Sequence, residues 1–299
     1  MNELPVVQVP IPLPFDQEVW IKREDLIHNV VSGNKFRKLK YNLQEAQNKG
    51  AHTLVTFGGA FSNHIAAVAA AGKLNGFKTI GFIRGDELAD QVEANPTLAY
   101  AKAQGMQLNF VSRTRYRELR NLHSDEQYNA QFPSWYFLPE GGTNALAIKG
   151  CEEILLPSDE TFDYICCAVG TGGTLTGIIN SAKPHQQVIG FSVLKGIDWP
   201  ATIGRLTPKE TYRIKEQYHF DGYAKYTPEL IDFINAFKAD YGIPLDPVYT
   251  GKLMYGVVDL LKKGYFRPAS KIMIVHTGGL QGIAGFNLLL EKKNLPILI

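Results

Sequence analysis

Apolar and polar positions alternate in blocks along this chain, and the blocks change period at glycines. Four prolines (Pro5, Pro10, Pro12, Pro14) mark residues 1–18 as an extended arm over the surface, and Val19-Trp20-Ile21-Lys22 reads as a short strand. A helix is predicted from Lys35 to about Asn48, with Tyr41, Leu43 and Ala46 on its buried side and Gly50 as its stop. Thr53 to Phe57 is an apolar, β-rich run, turned by Gly58-Gly59 into an Ala-rich helix from His64 to Leu74. Thr79 to Ile83 and Gln107 to Val111 are the next strands, separated by a helix from Asn95 to Gln104. Glu118 to Gln131 reads as helical, and Trp135 to Leu138 closes this set of elements.

After a break at Pro139-Glu140-Gly141-Gly142, a helix is predicted from Ala147 to Leu155 and a doubly buried strand from Asp163 to Val169. Gly170-Thr171-Gly172-Gly173-Thr174 leads into a helix from about Leu175, and Val188 to Val193 is another strand. Residues 195–227 carry little pattern. Pro228 to Tyr241 is an amphipathic helix, Tyr249-Thr250-Gly251-Lys252 opens one that ends at Gly264, and Ile272 to Val275 is the last strand. His276-Thr277-Gly278-Gly279 then leads to a helix from about Ile283. Strands alternating with helices predict an α/β fold of parallel-rich sheets in two units, the strands between about 50 and 140 forming one of them.

Composition narrows the function classes. The 299 residues are 45% hydrophobic and 20% charged, which suits one large domain or two smaller ones. A net charge of +2 points to no nucleic-acid partner. No apolar run nears the ~18 residues of a membrane helix, and the first residues lack the basic-then-apolar pattern of a signal peptide. The three cysteines, Cys151, Cys166 and Cys167, read as buried thiols, and no Cys/His spacing suggests a metal. A reducing cytoplasm is the expected setting.

Ser32-Gly33-Asn34-Lys35-Phe36-Arg37-Lys38-Leu39 delivers a lysine to a helix start, where the dipole disfavours an ammonium. A lysine with a lowered pKa is a nucleophile toward carbonyls; a solvated basic first turn fits the same eight residues. Gly170 to Thr174 sits between a strand and a helix, where backbone N–H groups converge on a phosphate. It matches neither the Walker loop nor the dinucleotide spacing, and a tight structural turn is equally open. Gly58 to His64 is a similar junction, in which Ser62 or Asn63 either caps the helix or meets a ligand. His276 reads as a satisfied core histidine, and Tyr223 and Tyr249 taken singly as packing. Ligands bind open α/β sheets at such strand ends. An activatable lysine with a monophosphate-sized loop points to pyridoxal phosphate.

The motifs at 32–39, 62–64, 170–174, 247–252 (Pro-Val-Tyr-Thr-Gly-Lys) and 276–279 occur in an order that resembles the family of 1-aminocyclopropane-1-carboxylate deaminase and D-cysteine desulfhydrase, over roughly residues 20–285. The resemblance implies the two-domain, three-layer tryptophan-synthase-β-like fold of pyridoxal-phosphate enzymes, fold type II. It implies a large domain of residues 1–39 plus 148–299, a small inserted domain of residues 40–147, and a cofactor between them. Lys35 is then the Schiff-base lysine, Asn63 the partner of the cofactor's ring oxygen, and Gly170, Thr171, Gly172, Gly173 and Thr174 the phosphate loop. Ser62 contacts the substrate carboxylate or moves a proton, Tyr249 and Tyr223 face the substrate, Lys38 matches a second lysine near the site, and Thr277 joins the cofactor contacts. A homodimer is implied, with a small amino acid as substrate and no metal, nucleic acid or membrane.

Two positions bear on the activity. The deaminases of the family carry Glu at the position of Thr250 and Leu at that of Thr277, where the desulfhydrases carry Thr at both; His64 stands where the deaminases tend to have Gln. A carboxylate near the pyridine nitrogen keeps it protonated and deepens the electron sink needed to open a cyclopropane, whereas a threonine hydroxyl suffices when a thiolate leaves. The expectation is β-elimination from D-cysteine, giving pyruvate, sulfide and ammonia. Deamination of 1-aminocyclopropane-1-carboxylate to 2-oxobutanoate is the alternative, elimination or racemisation on another small amino acid a third, and a catalytically idle cofactor binder the reading outside enzymes. Phe61 departs from the polar residue, such as Gln, that both activities carry before Ser62.

Overall fold

The computed structural model describes residues 3–122 and 130–299. In chain order the elements are β1 (Gln8–Ile11), β2 (Glu18–Lys22), α1 (Asn34–Asn48), β3 (Thr53–Gly58), α2 (Asn63–Leu74), β4 (Lys78–Arg84), α3 (Pro96–Ala103), β5 (Met106–Val111), α4 (Arg113–Leu122) and β6 (Trp135–Phe137). They continue with α5 (Ala145–Glu152), β7 (Tyr164–Val169), α6 (Gly173–Ser181), β8 (Gln187–Ser192), α7 (Trp199–Gly204), β9 (Tyr212–Lys215), α8 (Pro228–Tyr241), α9 (Thr250–Lys262), β10 (Lys271–Val275) and α10 (Gly282–Glu291). The chain divides into two compact units, residues 35–150 and residues 3–34 with 151–299.

In the 35–150 unit the sheet order is β5-β4-β3-β6, every pair parallel. Alternation along the strands sends successive side chains to opposite faces. Phe57 and Phe82 stack on one face, where Tyr116 of α4 meets Phe57 edge-on. Gly58 and Gly81 lie on the other face, against Ile65 of α2. The result is a helix-sheet-helix sandwich. Helix α2 is buried from His64 to Gly72 and begins where the Ser62 side chain accepts from the Ile65 N–H.

The second unit carries the order β1-β2-β10-β7-β8-β9, with β1 antiparallel to β2 and the remaining pairs parallel. Cys166 and Cys167 show its two faces directly. Cys166 lies in the core with Ile189, Ile274, Leu230 and Leu253, and Cys167 in the core with Val188, Met273, Ile178 and Ile203. Both thiols are free and buried, and burial, with Cys167 adding to it, pushes the Cys166 thiol up. In each unit the strand that feeds a glycine junction, β3 or β7, has a later strand on each of its two sides, β4 and β6 or β8 and β10. Both are therefore topological switch points.

Three stretches differ from their sequence pattern. The arm of residues 1–18 contains β1, whose Ile11 is buried; Pro10 is tolerated because β1 is an edge strand. Helix α4 begins at Arg113 rather than Glu118, because Ser112 accepts from the Arg115 N–H; the expected continuation over residues 123–129 lies outside the described residues. Residues 195–227 contain α7, capped by Asp198 with Pro200 behind it, and β9, an edge strand whose Arg213 and Lys215 hide an apolar alternation.

Candidate active site

The 35–150 unit gathers its candidate residues at the carboxyl ends of β3 and β6. Lys35 stands in the first turn of α1, and its Nζ lies 3.3 Å from the Gly141 carbonyl. Lys38, one turn on and buried, donates to the same carbonyl at 3.0 Å and to Thr143 Oγ1 at 3.0 Å. Asn42 extends this seam: its Oδ1 accepts from Asn144 and from the Tyr136 hydroxyl, at 2.7 and 3.0 Å. Helix α1 is thus sewn to the turn after β6 along one face.

Across the β3 junction, Ser62 caps α2 at 3.3 Å and Asn63 is its first residue. His64 follows, buried, with Nε2 2.8 Å from Thr56 Oγ1. The Thr56 hydroxyl donates to the Leu138 carbonyl, so Thr56 accepts from Nε2–H and Nδ1 carries the lone pair. That Nδ1 is buried with no hydrogen-bond partner among the described residues. Burial, then the charges of Lys35 and Lys38, hold the imidazole well below its ordinary pKa, so it is neutral. Phe61, beside this junction, is 40% exposed.

In the second unit, Gly172 at φ +86° precedes α6, whose first turn has no side-chain cap. Thr174 Oγ1 instead receives a 2.8 Å hydrogen bond from Asn34, the residue just before Lys35. Gly33 explains the turn that delivers them. Its φ is +63°, and a Cβ there would stand 2.0 Å from the Thr277 carbonyl, which also accepts from the Asn34 N–H at 3.1 Å. The loops after β7 and β10 are thereby bound to one turn of chain. Tyr249 leans on the first: a Cβ at Gly170 would lie 3.2 Å from its ring. Tyr223 meets Tyr249 edge-on with ring centres 6.1 Å apart. Burial first, then Tyr223, raise the Tyr249 pKa well above the ordinary phenol value.

Asp246, which sequence reasoning missed, organises this corner. Its carboxylate accepts from the N–H groups of Val248, Tyr249 and Thr250 at 2.9, 2.9 and 2.8 Å and from the Thr250 hydroxyl at 2.7 Å. Thr250 Oγ1 accepts in return from the Asp246 N–H at 2.8 Å. Thr250 is therefore engaged in a reciprocal cap with Asp246. The Thr277 hydroxyl has no such partner among the described residues. The available signal was an acidic residue four positions before a threonine at a helix start. His276 is a satisfied histidine, with Nε2 2.8 Å from the Pro244 carbonyl and Nδ1 3.3 Å from the Gly278 N–H.

Comparison with known proteins decides the family. Residues 4–278 match the model of the family described as pyridoxal-phosphate dependent enzyme. The chain belongs to that family. Its cofactor is accordingly pyridoxal phosphate. A Pyrococcus horikoshii protein provisionally named as a 1-aminocyclopropane-1-carboxylate deaminase is 32% identical over 94% of this chain and 90% of its own length. The Arabidopsis thaliana protein named as a bifunctional D-cysteine desulfhydrase/1-aminocyclopropane-1-carboxylate deaminase, mitochondrial, is 31% identical over 91% and 74%. A crystal structure of a 1-aminocyclopropane-1-carboxylate deaminase homologue superimposes with a TM-score of 0.81, at 29% identity over 94% and 91%. O-ureido-L-serine synthase, at TM-score 0.70 and 15% identity, shares the fold. The fold is that of fold-type-II pyridoxal-phosphate enzymes.

Each unit has donors suited to this cofactor. The 35–150 unit offers the Lys35 amine, a neutral His64 with an unpartnered nitrogen, and the Ser62-Asn63 junction. The other offers an uncapped glycine-rich helix start, to which a phosphate monoester is the natural complement, and the Thr277 hydroxyl. No group of three His, Cys, Asp or Glu among the described residues is placed to hold a metal ion, and no described helix is long and apolar enough to cross a membrane.

Proposed function

We propose that this enzyme eliminates sulfide from D-cysteine, releasing pyruvate and ammonia. The observation that carries the reading is Thr277: a threonine where the deaminases carry Leu, with no hydrogen-bond partner for its hydroxyl among the described residues, while Thr250 is engaged by Asp246. When bound, pyridoxal phosphate supplies an electron sink for a carbanion at the substrate Cα. Lys35 is the residue that would hold the cofactor through its amine and, when that amine is free, would take the Cα proton as general base. The N–H groups of Gly170 to Thr174 would hold the phosphate, and Asn63 would hold the ring oxygen. Ser62 orients the substrate carboxylate: its oxygen is occupied by the Ile65 N–H and its proton remains to donate. Tyr249 and Tyr223 bound the side-chain pocket. Lys38 ties down the Gly141 turn beside Lys35. Thr277 would offer its hydroxyl to the cofactor's ring nitrogen without forcing its protonation.

The alternative, deamination of 1-aminocyclopropane-1-carboxylate, is supported by the names of the relatives, one of which carries both activities. A homodimer working in a reducing cytoplasm completes the proposal; buried, free thiols suit that compartment. Borohydride reduction of the cofactor-loaded protein followed by peptide mass mapping tests the anchor. The pyridoxyl mass is expected on Lys35, and its appearance on Lys38 or elsewhere would overturn the assignment.

A further inference from the structure

Lys252 is fully buried in the first turn of α9, two residues after Thr250 of the Asp246-Thr250 cap. Its Nζ donates to the carbonyls of His219 and Gly222 at 2.9 and 2.8 Å. Those carbonyls flank a turn in which Phe220, Asp221 and Ala224 take φ of +50°, +70° and +55°, and Gly222 takes +121°. Non-glycine residues pay steric strain there, which persists only where the surroundings over-determine it. The same helix grips the turn's flanks. The Tyr218 hydroxyl donates to Asp259 at 2.6 Å, and Phe220 packs edge-on against Tyr255 at 5.1 Å. The outer ion pair, Lys195 with Asp221, is solvent-exposed and holds little. Tyr223, carried on this turn and 46% exposed, meets the half-buried Tyr249.

A buried ammonium is costly. Burial pulls Lys252 down to about 8, with Asp246 opposing. Both carbonyls it serves belong to one turn, and that turn carries one candidate substrate-facing side chain. We propose that Lys252 is a positioning residue: by stapling the 219–222 turn to α9 it fixes Tyr223 against Tyr249 and so sets the shape of the substrate side-chain pocket. The link to substrate rests on the function proposed above; the staple itself does not.

The test separates the two. Lys252→Met removes the donors at nearly constant length. Hydrogen-deuterium exchange on the cofactor-loaded protein is expected to rise at least tenfold in amides 219–225, with β7 and β8 unchanged. Unchanged exchange at 219–225, or a rise spread evenly over residues 151–299, would overturn the staple. Lys252→Gln, which keeps a neutral donor, should give a smaller rise and serves if the Met variant fails to fold. For the link to Tyr223, kcat/KM on D-cysteine is measured in the Tyr223→Ala background as well, which removes the ring that meets Tyr249. Lys252→Met should cost tenfold or more alone, mostly in KM, and less than twofold on top of Tyr223→Ala. Full additivity would overturn the link. Local exchange with no turnover of any amino acid would retain the staple and reject the proposed function.

Discussion

Replacing Thr250 by valine removes one hydroxyl and almost nothing else. In the structure that hydroxyl makes two bonds, donating to Asp246 Oδ1 at 2.7 Å and accepting from the Asp246 N–H at 2.8 Å, all within a buried corner. Losing a bond to a carboxylate costs about 1.5–3 kcal/mol, and leaving a buried N–H unpaired costs about 1–3 kcal/mol. The carboxylate keeps its three backbone donors, so part of the loss is absorbed and a total of about 2–4 kcal/mol is expected. Urea unfolding followed by tryptophan fluorescence measures it, since Trp20 and Trp199 lie in the same unit. The cofactor's absorbance should be unchanged in the folded variant. Thr277→Val should do the reverse, staying within about 0.5 kcal/mol of the parent and altering the bound cofactor's spectrum. A Thr250→Val protein as stable as the parent, or one with an altered cofactor spectrum, would refute the cap and return Thr250 to the cofactor ring.

Two other perturbations follow from the geometry. Gly33→Ala meets both a left-handed φ and a carbonyl 2.0 Å from the new Cβ; a loss of about 2–4 kcal/mol in urea unfolding is expected, with weaker cofactor retention, and parent-like stability would contradict the flush turn. His64 is held neutral, its pKa well below the 6.5 of the unfolded chain. The unfolded state therefore binds a proton that the folded state refuses. This contribution is fully present above pH 6.5 and is lost as pH falls below it, by up to about 1.4 kcal/mol per pH unit. Urea titrations between pH 7 and 5 should show His64→Gln gaining on the parent as pH falls, and a constant difference would contradict the buried neutral imidazole.

Much of the fold was legible because its strands are short apolar runs ended by glycine, as at Thr53 to Gly58 and Tyr164 to Gly170. The α8 boundaries were legible for the same local reason, with Thr227 and Pro228 opening the helix and Gly242 closing it at φ +68°. Edge strands escaped: Pro10 disguised β1, and the charges of β9 disguised a strand whose partner lies on one side only. The residues singled out for chemistry do cluster within their units, Lys35 with Lys38 and Gly141, and Tyr249 with Gly170 and Tyr223. Partners set by tertiary geometry were not legible. Nothing local marks Asn34 as reaching Thr174 or Lys252 as facing His219 and Gly222, because each pairing depends on where a loop folds.

The most direct measurement supplies the purified, cofactor-loaded protein with D-cysteine, L-cysteine and 1-aminocyclopropane-1-carboxylate in parallel, reading sulfide, ammonia and the 2-oxo acid formed. Pyruvate and sulfide from D-cysteine, with no 2-oxobutanoate from the cyclopropane, is the result predicted. Formation of 2-oxobutanoate with no product from D-cysteine would contradict the role assigned to Thr277 and make the chain a cyclopropane-opening member of its family.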